Sequence, residues 1–144
     1  MSIKEVSVAA MRRYRHQRTE RGESINGEIE IEADDKTYDL CIVQDLFEHL
    51  SIEGMERAVS EICRVTRHRM CIGFFQMDEI RDHVVRPMED YHCKLLSMRK
   101  MRELFAEHGF DAQVIHVGSF LDEQVGCAET HNPNAYTFLL RADS

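Results

Sequence analysis

The stretch YDLCIVQDLFEHL, residues 38–50, carries polar side chains at the junction between an apolar run and a helix-like sequence. These side chains are Gln44, Asp45, Glu48 and His49. Carboxylates and an imidazole at one junction can accept hydrogen bonds from a ligand or move a proton near neutral pH. The alternative is local: Asp45 or Ser51 caps the next helix, and Glu48 and His49 are exposed polar residues. The residues alone support both interpretations equally.

The predicted elements around this junction put the four polar side chains where a ligand would bind, and they leave the local interpretation equally open. Residues 38–43 are continuously apolar after Asp39, which predicts a central strand of a parallel sheet, buried on both faces. Residues 52–66 place apolar side chains on one helical face, and residues 69–75 predict a second buried strand. In an open α/β sheet, ligands bind beyond the carboxyl ends of the strands. The four polar side chains come directly after strand 38–43, at such an end.

The remaining sequence predicts further alternation of helices and strands. A weak helix is predicted over 7–20, a half-exposed strand over 28–33 after the Asn26-Gly27 turn, and a long loop over 76–96. Ser97 caps a helix that Gly109 ends, and strands follow over 111–120 and 135–142. Strands that alternate with helices predict an α/β open sheet.

Composition indicates one cytoplasmic domain over residues 1–144, with a basic helical segment over 1–24 and an α/β core over 25–144. No apolar run is long enough to span a bilayer, and the start lacks a signal-peptide layout. The five cysteines form no C-x-x-C pair, and the eight histidines are scattered. We therefore expect buried thiols in a reducing compartment and no metal site.

Charge is spread unevenly along the chain. Residues 1–24 carry six basic and three acidic residues, which gives this segment a net charge of +3. Since the whole chain has a net charge of −8, residues 25–144 carry a net charge of −11. An acidic surface repels nucleic-acid phosphates, which makes nucleic acid an unlikely partner. The arginines of the basic segment are more simply explained as a solvated helix face than as an anion or nucleic-acid contact.

The segment TYDLCIVQDLFEHLSIEGMERAVSEICRVTRHRMCIGFF resembles the middle of class I S-adenosylmethionine-dependent methyltransferases of the small-molecule type. Tyr38-Asp39 matches the aromatic-Asp pair that opens the family's fourth strand, Glu48-His49 its Glu-His pair, and Arg64-Val65 the Arg-Val pair before its fifth strand. Farther on, His92, Ser97 and Gly109-Phe110 match a later family segment. The resemblance covers about residues 28–118 and implies a Rossmann-like sheet with helices packed on its faces.

The resemblance also assigns candidate residues. Gln44 and Asp45 would border the methionine part of S-adenosylmethionine, and His49 or His92 would serve as a base. The segment IKEVSVAAMRRYR faintly resembles the family's second strand and next helix, which makes Glu5 the candidate for the ribose hydroxyls. Asp34 or Asp35 is a candidate for the adenine edge, although a turn role is simpler.

Two features depart from the family pattern. The turn before the fifth strand is Arg67-His68-Arg69 in place of a Lys-Pro-Gly-Gly sequence. The chain also contains no G-x-G, although the family builds its cofactor site on a glycine-rich turn after the first strand. We therefore predict a truncated sheet in which the first strand is missing.

A missing first strand leaves the edge of strand 38–43 without a neighbour, and such edges are prone to pairing with another chain. We expect residues 25–33, a second copy in a homodimer, or another partner chain to cover it. Three main functions remain open: a methyltransferase for a small-molecule acceptor, a non-catalytic binding or oligomerisation module derived from one, and one subunit of a split enzyme. Nucleic-acid binding through Arg12–Arg21 is a minor fourth.

Overall fold

The structure is a computed structural model that describes residues 30–87, 92–129 and 132–144. Its main sheet has four strands in the order β1-β2-β7-β6. These are β1 (Tyr38–Gln44), β2 (Thr66–Phe74), β7 (Tyr136–Ala142) and β6 (Phe110–His116). The predicted helix over 7–20 lies outside the described residues.

Strand directions bring three strand ends to one edge of this sheet. β1 runs parallel to β2, with Val43 opposite Ile72. β7 is antiparallel to both β2 and β6, so β6 runs in the same direction as β1 and β2. We call the edge where β1, β2 and β6 end the carboxyl edge; it is marked by Gln44, Phe74 and His116.

Two capped helices cover one face of the sheet. Helix α1 (Ile52–Val65) is capped by Ser51, whose Oγ accepts a hydrogen bond from the Gly54 N–H at 3.0 Å. Ser51 is one of the two caps that the local interpretation of the junction offered. Helix α2 (Met98–Glu107) starts at Ser97 and ends before Gly109, which has a φ of +82°. The predicted cap at Ser97 and the predicted stop at Gly109 are both confirmed; a left-handed backbone favours glycine at the stop.

The core lies between these helices and the sheet. Four phenylalanine rings form its centre, and Phe74 meets Phe138 with ring centroids 4.7 Å apart. The four rings are Phe47, Phe74, Phe105 and Phe138. They come from the turn after β1, from two strands and from α2, so the packing fixes the position of the residues after β1 relative to the sheet.

The opposite face of the sheet is only partly covered in the described part of the chain. One row across it runs from Ile42 through Cys71 and Leu139 to Gln113. The side chains of Ile42 and Leu139 are 44% and 39% exposed. The prediction that strand 38–43 is buried on both faces is therefore wrong for the face of Ile42, since the described helices α1 and α2 pack on the other side.

Three further predictions on secondary structure need correction. The predicted loop over 76–96 contains strands β3 (Met77–Asp78), β4 (Val84–Pro87) and β5 (His92–Ser97), which form a second sheet in the order β3-β5-β4. These strands are short and mix apolar with charged residues, so the sequence shows no alternation of apolar and polar residues that would predict them. The predicted strand over 111–120 ends at His116, where helix α3 (Val117–Val125) begins.

The third correction concerns the strand predicted over 28–33. Its described residues, 30–33, are not in a strand. Side chains of α1 take up their backbone groups instead: the Ile31 N–H donates to Glu61 Oε2 and the Ile31 carbonyl accepts from Arg64, both at 2.9 Å. A segment whose polar groups are satisfied in this way has no need of a neighbouring strand.

Arg64 joins this leading segment to the end of α1. It donates to the Ala33 carbonyl at 2.8 Å and forms ion pairs at 2.9 Å with Asp35 and with Glu61. Lys36 adds hydrogen bonds from Nζ to the carbonyls of Cys63 and Thr66, both 3.0 Å. The start of β1 is thus fixed to the α1–β2 connection, which sets the register that places Gln44 at the carboxyl edge.

Candidate functional site at the carboxyl edge

The chain turns sharply where β1 ends. Asp45 has a φ of +49°, a left-handed conformation that is uncommon for a residue with a Cβ, and its N–H donates to the Gly73 carbonyl at 3.0 Å. The turn leads directly into a 3-10 turn, Phe47–His49. Backbone strain of this kind is concentrated at functional sites, where surrounding structure maintains it.

Gln44 lies across the neighbouring strand. A Cβ placed on Gly73 would collide with the side-chain carbonyl of Gln44. Glycine at position 73 therefore leaves the space that the Gln44 amide occupies at the carboxyl edge. Gln44 and Asp45 are both exposed, so their polar groups are available at the edge where the sequence predicts a ligand.

Glu48 is the most unusual group at this edge. Its side chain is 5% exposed, and Oε1 accepts hydrogen bonds from the N–H groups of Phe75 at 2.6 Å and Gln76 at 3.3 Å. Its second oxygen, Oε2, is buried and has no hydrogen-bond partner among the described residues. Glu48 therefore ties the turn after β1 to the backbone that follows β2.

Burial raises the pKa of Glu48 above the ordinary value for a glutamate. Hydrogen bonds from its own N–H and from those of Phe75 and Gln76 act in the opposite direction, and the negative charge of Asp45 adds slightly to the rise. Loss of hydration disfavours the charged form, and here it outweighs the N–H donors. The sequence placed Glu48 at the junction, and only the local alternative made it an exposed residue; that part of the alternative is wrong, because Glu48 lies beside Phe47, which packs into the core.

The other predicted site residues are placed as follows. His49 is exposed in the 3-10 turn. The backbone of His92 begins β5, a strand that packs against this turn. Asp34 lies before β1, whose seven residues separate it from Gln44 by about 20 Å along the strand. The structure therefore brings Gln44, Asp45 and the His49 turn together and leaves Asp34 at the far end; Glu5 lies outside the described residues.

His116 and Tyr136 also lie at the carboxyl edge, although neither is among the predicted site residues. They are cross-strand partners with ring centroids 4.8 Å apart. His116 Nε2 lies 2.7 Å from the Pro133 carbonyl, which can only accept, so Nε2 carries the proton. Nδ1 then accepts from the Ser119 N–H at 3.3 Å and caps α3. Both nitrogens are engaged, so this imidazole is structural in the form described.

Tyr136 has a raised pKa, chiefly because of burial and secondarily because of the negative charges of Asp78 and Glu79. Its hydroxyl therefore stays protonated at neutral pH and can donate a hydrogen bond. The only signal in the sequence for this pair was that each residue lies in a predicted strand, which becomes informative once the end of β6 at His116 and its antiparallel pairing with β7 are known.

The cysteines carry no comparable signal. Burial raises the pKa of Cys41 to about 11 and that of Cys63 to about 12, so both thiols stay protonated. Among the residues that the structure describes, no group of three or more His, Cys, Asp and Glu side chains is arranged to hold a metal ion. The same part of the chain has no helix with the length and apolar character needed to cross a membrane.

Comparison with solved structures identifies the fold. An N1-methyltransferase of Burkholderia thailandensis, solved with 1,6-didemethyltoxoflavin and S-adenosylhomocysteine, matches 78% of this chain and 48% of its own, with 13% identity and a TM-score of 0.54. A chain from the complex of the Haloferax volcanii Trm112 methyltransferase activator with its methyltransferase matches 97% of this chain and 81% of its own, with 9% identity and a TM-score of 0.55.

A third neighbour, the [4+2]-cyclase SpnF, matches 96% of this chain and 62% of its own, with 15% identity and a TM-score of 0.54. This chain thus spans about half the length of the Burkholderia enzyme and under two thirds of the cyclase. No protein-family model matches the sequence, and no curated protein matches it. The described chain has the α/β, Rossmann-like fold of S-adenosylmethionine-dependent methyltransferases, as the sequence resemblance implied.

Proposed function

We propose that this chain is a methyltransferase-like protein that supplies one side of an S-adenosylmethionine site and is incomplete as a catalyst on its own. The observation that carries the proposal is the turn after β1, where exposed Gln44 and Asp45 meet a buried carboxylate, Glu48, at the carboxyl edge. A strained turn and a partly unsatisfied buried acid at the ligand-binding edge of an α/β sheet favour a binding site over a simple helix cap.

The described residues fit one side of this cofactor. Gln44 offers an amide and Asp45 a carboxylate, and together they can accept from the amino group and donate to the carboxylate of the methionine part. The buried Glu48 holds this turn in place relative to β2. The ribose side, for which Glu5 is our candidate, and the adenine side, for which Asp34 was predicted, have no support in the described geometry.

When bound, S-adenosylmethionine supplies a sulfonium-linked methyl group with an excellent leaving group. The chain then has to position the acceptor and exclude water, and this positioning supplies most of the rate enhancement of a methyl transfer. Either His49 or His92 would accept a proton from a small-molecule acceptor that must lose one. His49 ends the 3-10 turn after β1, and His92 begins β5, the strand that packs against this turn.

A second candidate function is a non-catalytic binding module derived from a methyltransferase. It is favoured by the absence of any G-x-G in the sequence, because a backbone turn that approaches the methionine part closely needs glycine. The cyclase neighbour is a protein of this fold that is named for a reaction other than methyl transfer, so the fold does not by itself fix the reaction.

The proposal includes a partner that covers the free side of β1. Among the described residues, β1 pairs with β2 on one side and has no strand on the other. A second copy of this chain, in a homodimer, or another chain that brings the first strand would satisfy that edge and complete the pocket. The protonated thiols suit the reducing cytoplasm, where we place the protein.

Calorimetric titration of the purified chain with S-adenosylhomocysteine tests the cofactor site. We expect weak binding, with a Kd of about 0.1–1 mM, because one side of the pocket is present. Gln44→Ala and Asp45→Ala should each weaken it several-fold. Gln113→Ala, the same kind of change at an exposed residue in the middle of the outer strand β6, should leave it unchanged. No binding at several millimolar would contradict the cofactor proposal.

Light scattering coupled to size-exclusion chromatography tests the partner. We expect a dimer at tens of micromolar, which Ile42→Lys dissociates because a buried unpaired charge beside the edge is costly. Leu139→Lys is the matched control: it is similarly exposed on the same face but lies two strands away. If both changes dissociate the dimer equally, the contact involves the whole exposed face and not the edge at β1. A monomeric wild type would argue against the homodimer.

A further inference from the structure

A groove with basic walls lies beside the second sheet, apart from the residues proposed for the cofactor and the proton. Its volume is about 570 Å³, which is in the range of sites for small organic ligands. One wall is the segment after β3, and the other is formed by the first two turns of α2. The lining residues are Glu79, Ile80, Arg81, Met98, Arg99, Arg102 and Glu103.

Side-chain contacts hold the two walls together. Ser97 Oγ donates to the Ile80 carbonyl at 2.6 Å, and the Ser97 N–H donates to His83 Nδ1 at 2.9 Å. Lys100 forms an ion pair with Asp82 at 2.8 Å. The groove is therefore bounded on both sides by backbone that is fixed to the start of α2, which limits the ordering that a ligand would have to induce.

The lining has an excess of positive charge. Three arginines and two glutamates give a net charge of +1, in a chain whose total is −8. The Arg99 Nε–H is used by Glu103 at 2.9 Å, and Arg102 reaches the Ala112 carbonyl at 3.5 Å, the outer limit for a hydrogen bond. A guanidinium has five N–H donors, so most of the donors of these residues are left for solvent or a ligand.

Apolar surface lies next to these donors. Met98 is 8% exposed and Ile80 is half-buried, and both line the groove. Guanidinium groups recognise carboxylates and phosphates through paired N–H donors, whereas thioether and aliphatic carbons favour an apolar body. We propose that this groove binds a small organic anion that joins a carboxylate or phosphate to an apolar ring or chain, with Arg81 and Arg102 on the anion and Ile80 and Met98 on the apolar part.

This site does not depend on the cofactor proposal. Its residues follow β3 and begin α2, whereas Gln44 and Asp45 follow β1. Glu79 lines the groove and its charge acts on Tyr136 at the start of β7, so the groove lies near the part of the carboxyl edge where β7 begins. Binding here can be measured without S-adenosylmethionine, and either proposal can fail alone.

The test is a titration of the full chain, labelled with ¹⁵N, with benzoate, phenyl phosphate and benzamide, followed by amide chemical shifts. Benzamide matches benzoate in shape and lacks the charge. We expect one or both anions to shift the amides of Ile80, Arg81, Met98 and Arg99 with saturation, and benzamide to bind at least about tenfold more weakly, the range that charged hydrogen bonds contribute.

Variants locate the binding. The double change Arg81→Gln with Arg102→Gln should weaken the better anion at least about tenfold. Arg141→Gln removes one charge from the exposed sheet face and should change its affinity by less than about twofold. Equal binding of benzamide, equal loss in Arg141→Gln, or no saturable shift at the groove amides would each overturn the proposal. A normal amide spectrum of the double variant shows that it is folded.

Discussion

Replacing Arg64 by alanine is expected to lower the melting temperature by roughly 10 °C, because it leaves a buried carboxylate without the partly exposed guanidinium that pairs with it. Glu61, its partner at 2.9 Å, is only 6% exposed. Removing the guanidinium leaves that carboxylate with the Ile31 N–H, and it leaves the carbonyls of Ile31 and Ala33 without the donors that Arg64 gave them. Thermal unfolding followed by circular dichroism measures the change.

The control for Arg64 is Arg67, which has the same kinds of partner but is more exposed to solvent. Arg67 pairs with Asp39 at 3.0 Å and donates to the Lys36 carbonyl, but its side chain is 50% exposed. Arg67→Ala should lower the melting temperature by only about 3 °C, because exposed ion pairs contribute little. Equal effects of the two changes would show that burial of Glu61 is not the cause.

The pH dependence gives an independent check on the same cluster. Hydrogen bonds from Arg64 are the main reason that the pKa of Glu61 is lowered. A lowered folded-state pKa stabilises the fold above the unfolded value, about 4.3, and this contribution is lost as the pH falls through the folded value. The difference between wild type and Arg64→Ala should therefore be full at pH 6 and shrink below about pH 4.

The secondary structure around the junction could be predicted from the sequence because its signals are local. Ser51, Ser97 and Gly109 act within one helical turn of their own position, and the helices begin and end where they indicate. The strands of 76–96 could not be predicted, because short strands of mixed polarity are stabilised by cross-strand partners that a local pattern does not show.

The candidate site was only half predictable for a related reason. Gln44 and Asp45 directly follow an apolar run, so their place at the carboxyl edge follows from the strand alone. The burial of Glu48 depends on Phe47 entering the aromatic core, and the neighbourhood of His116 and Tyr136 depends on an antiparallel pairing. Long-range packing of this kind changes a residue from exposed to buried without any change in its sequence surroundings.

Glu48→Ala is expected to lower the free energy of unfolding by about 2 kcal/mol, because the N–H groups of Phe75 and Gln76 lose their acceptor in a partly buried position. Glu48→Gln is the matched variant, since its side-chain carbonyl can accept from the same two donors. Urea denaturation of both variants at pH 7 compares the loss of the acceptor with the loss of the charge. An alanine variant as stable as the glutamine variant would mean that Glu48 does not hold the turn to β2.

The same pair of proteins tests the state of the buried acid. The folded-state pKa of Glu48 is raised by burial, so ionisation is harder in the folded than in the unfolded chain. The wild type therefore loses stability as the pH rises from the unfolded value, about 4.3, through the folded value, and Glu48→Gln has no such loss. The stability of Glu48→Gln relative to wild type should rise between pH 4 and neutrality. A difference that stays constant over this range would show that burial does not disfavour the carboxylate, and the orphan Oε2 would then have to be satisfied by a group bound at the carboxyl edge.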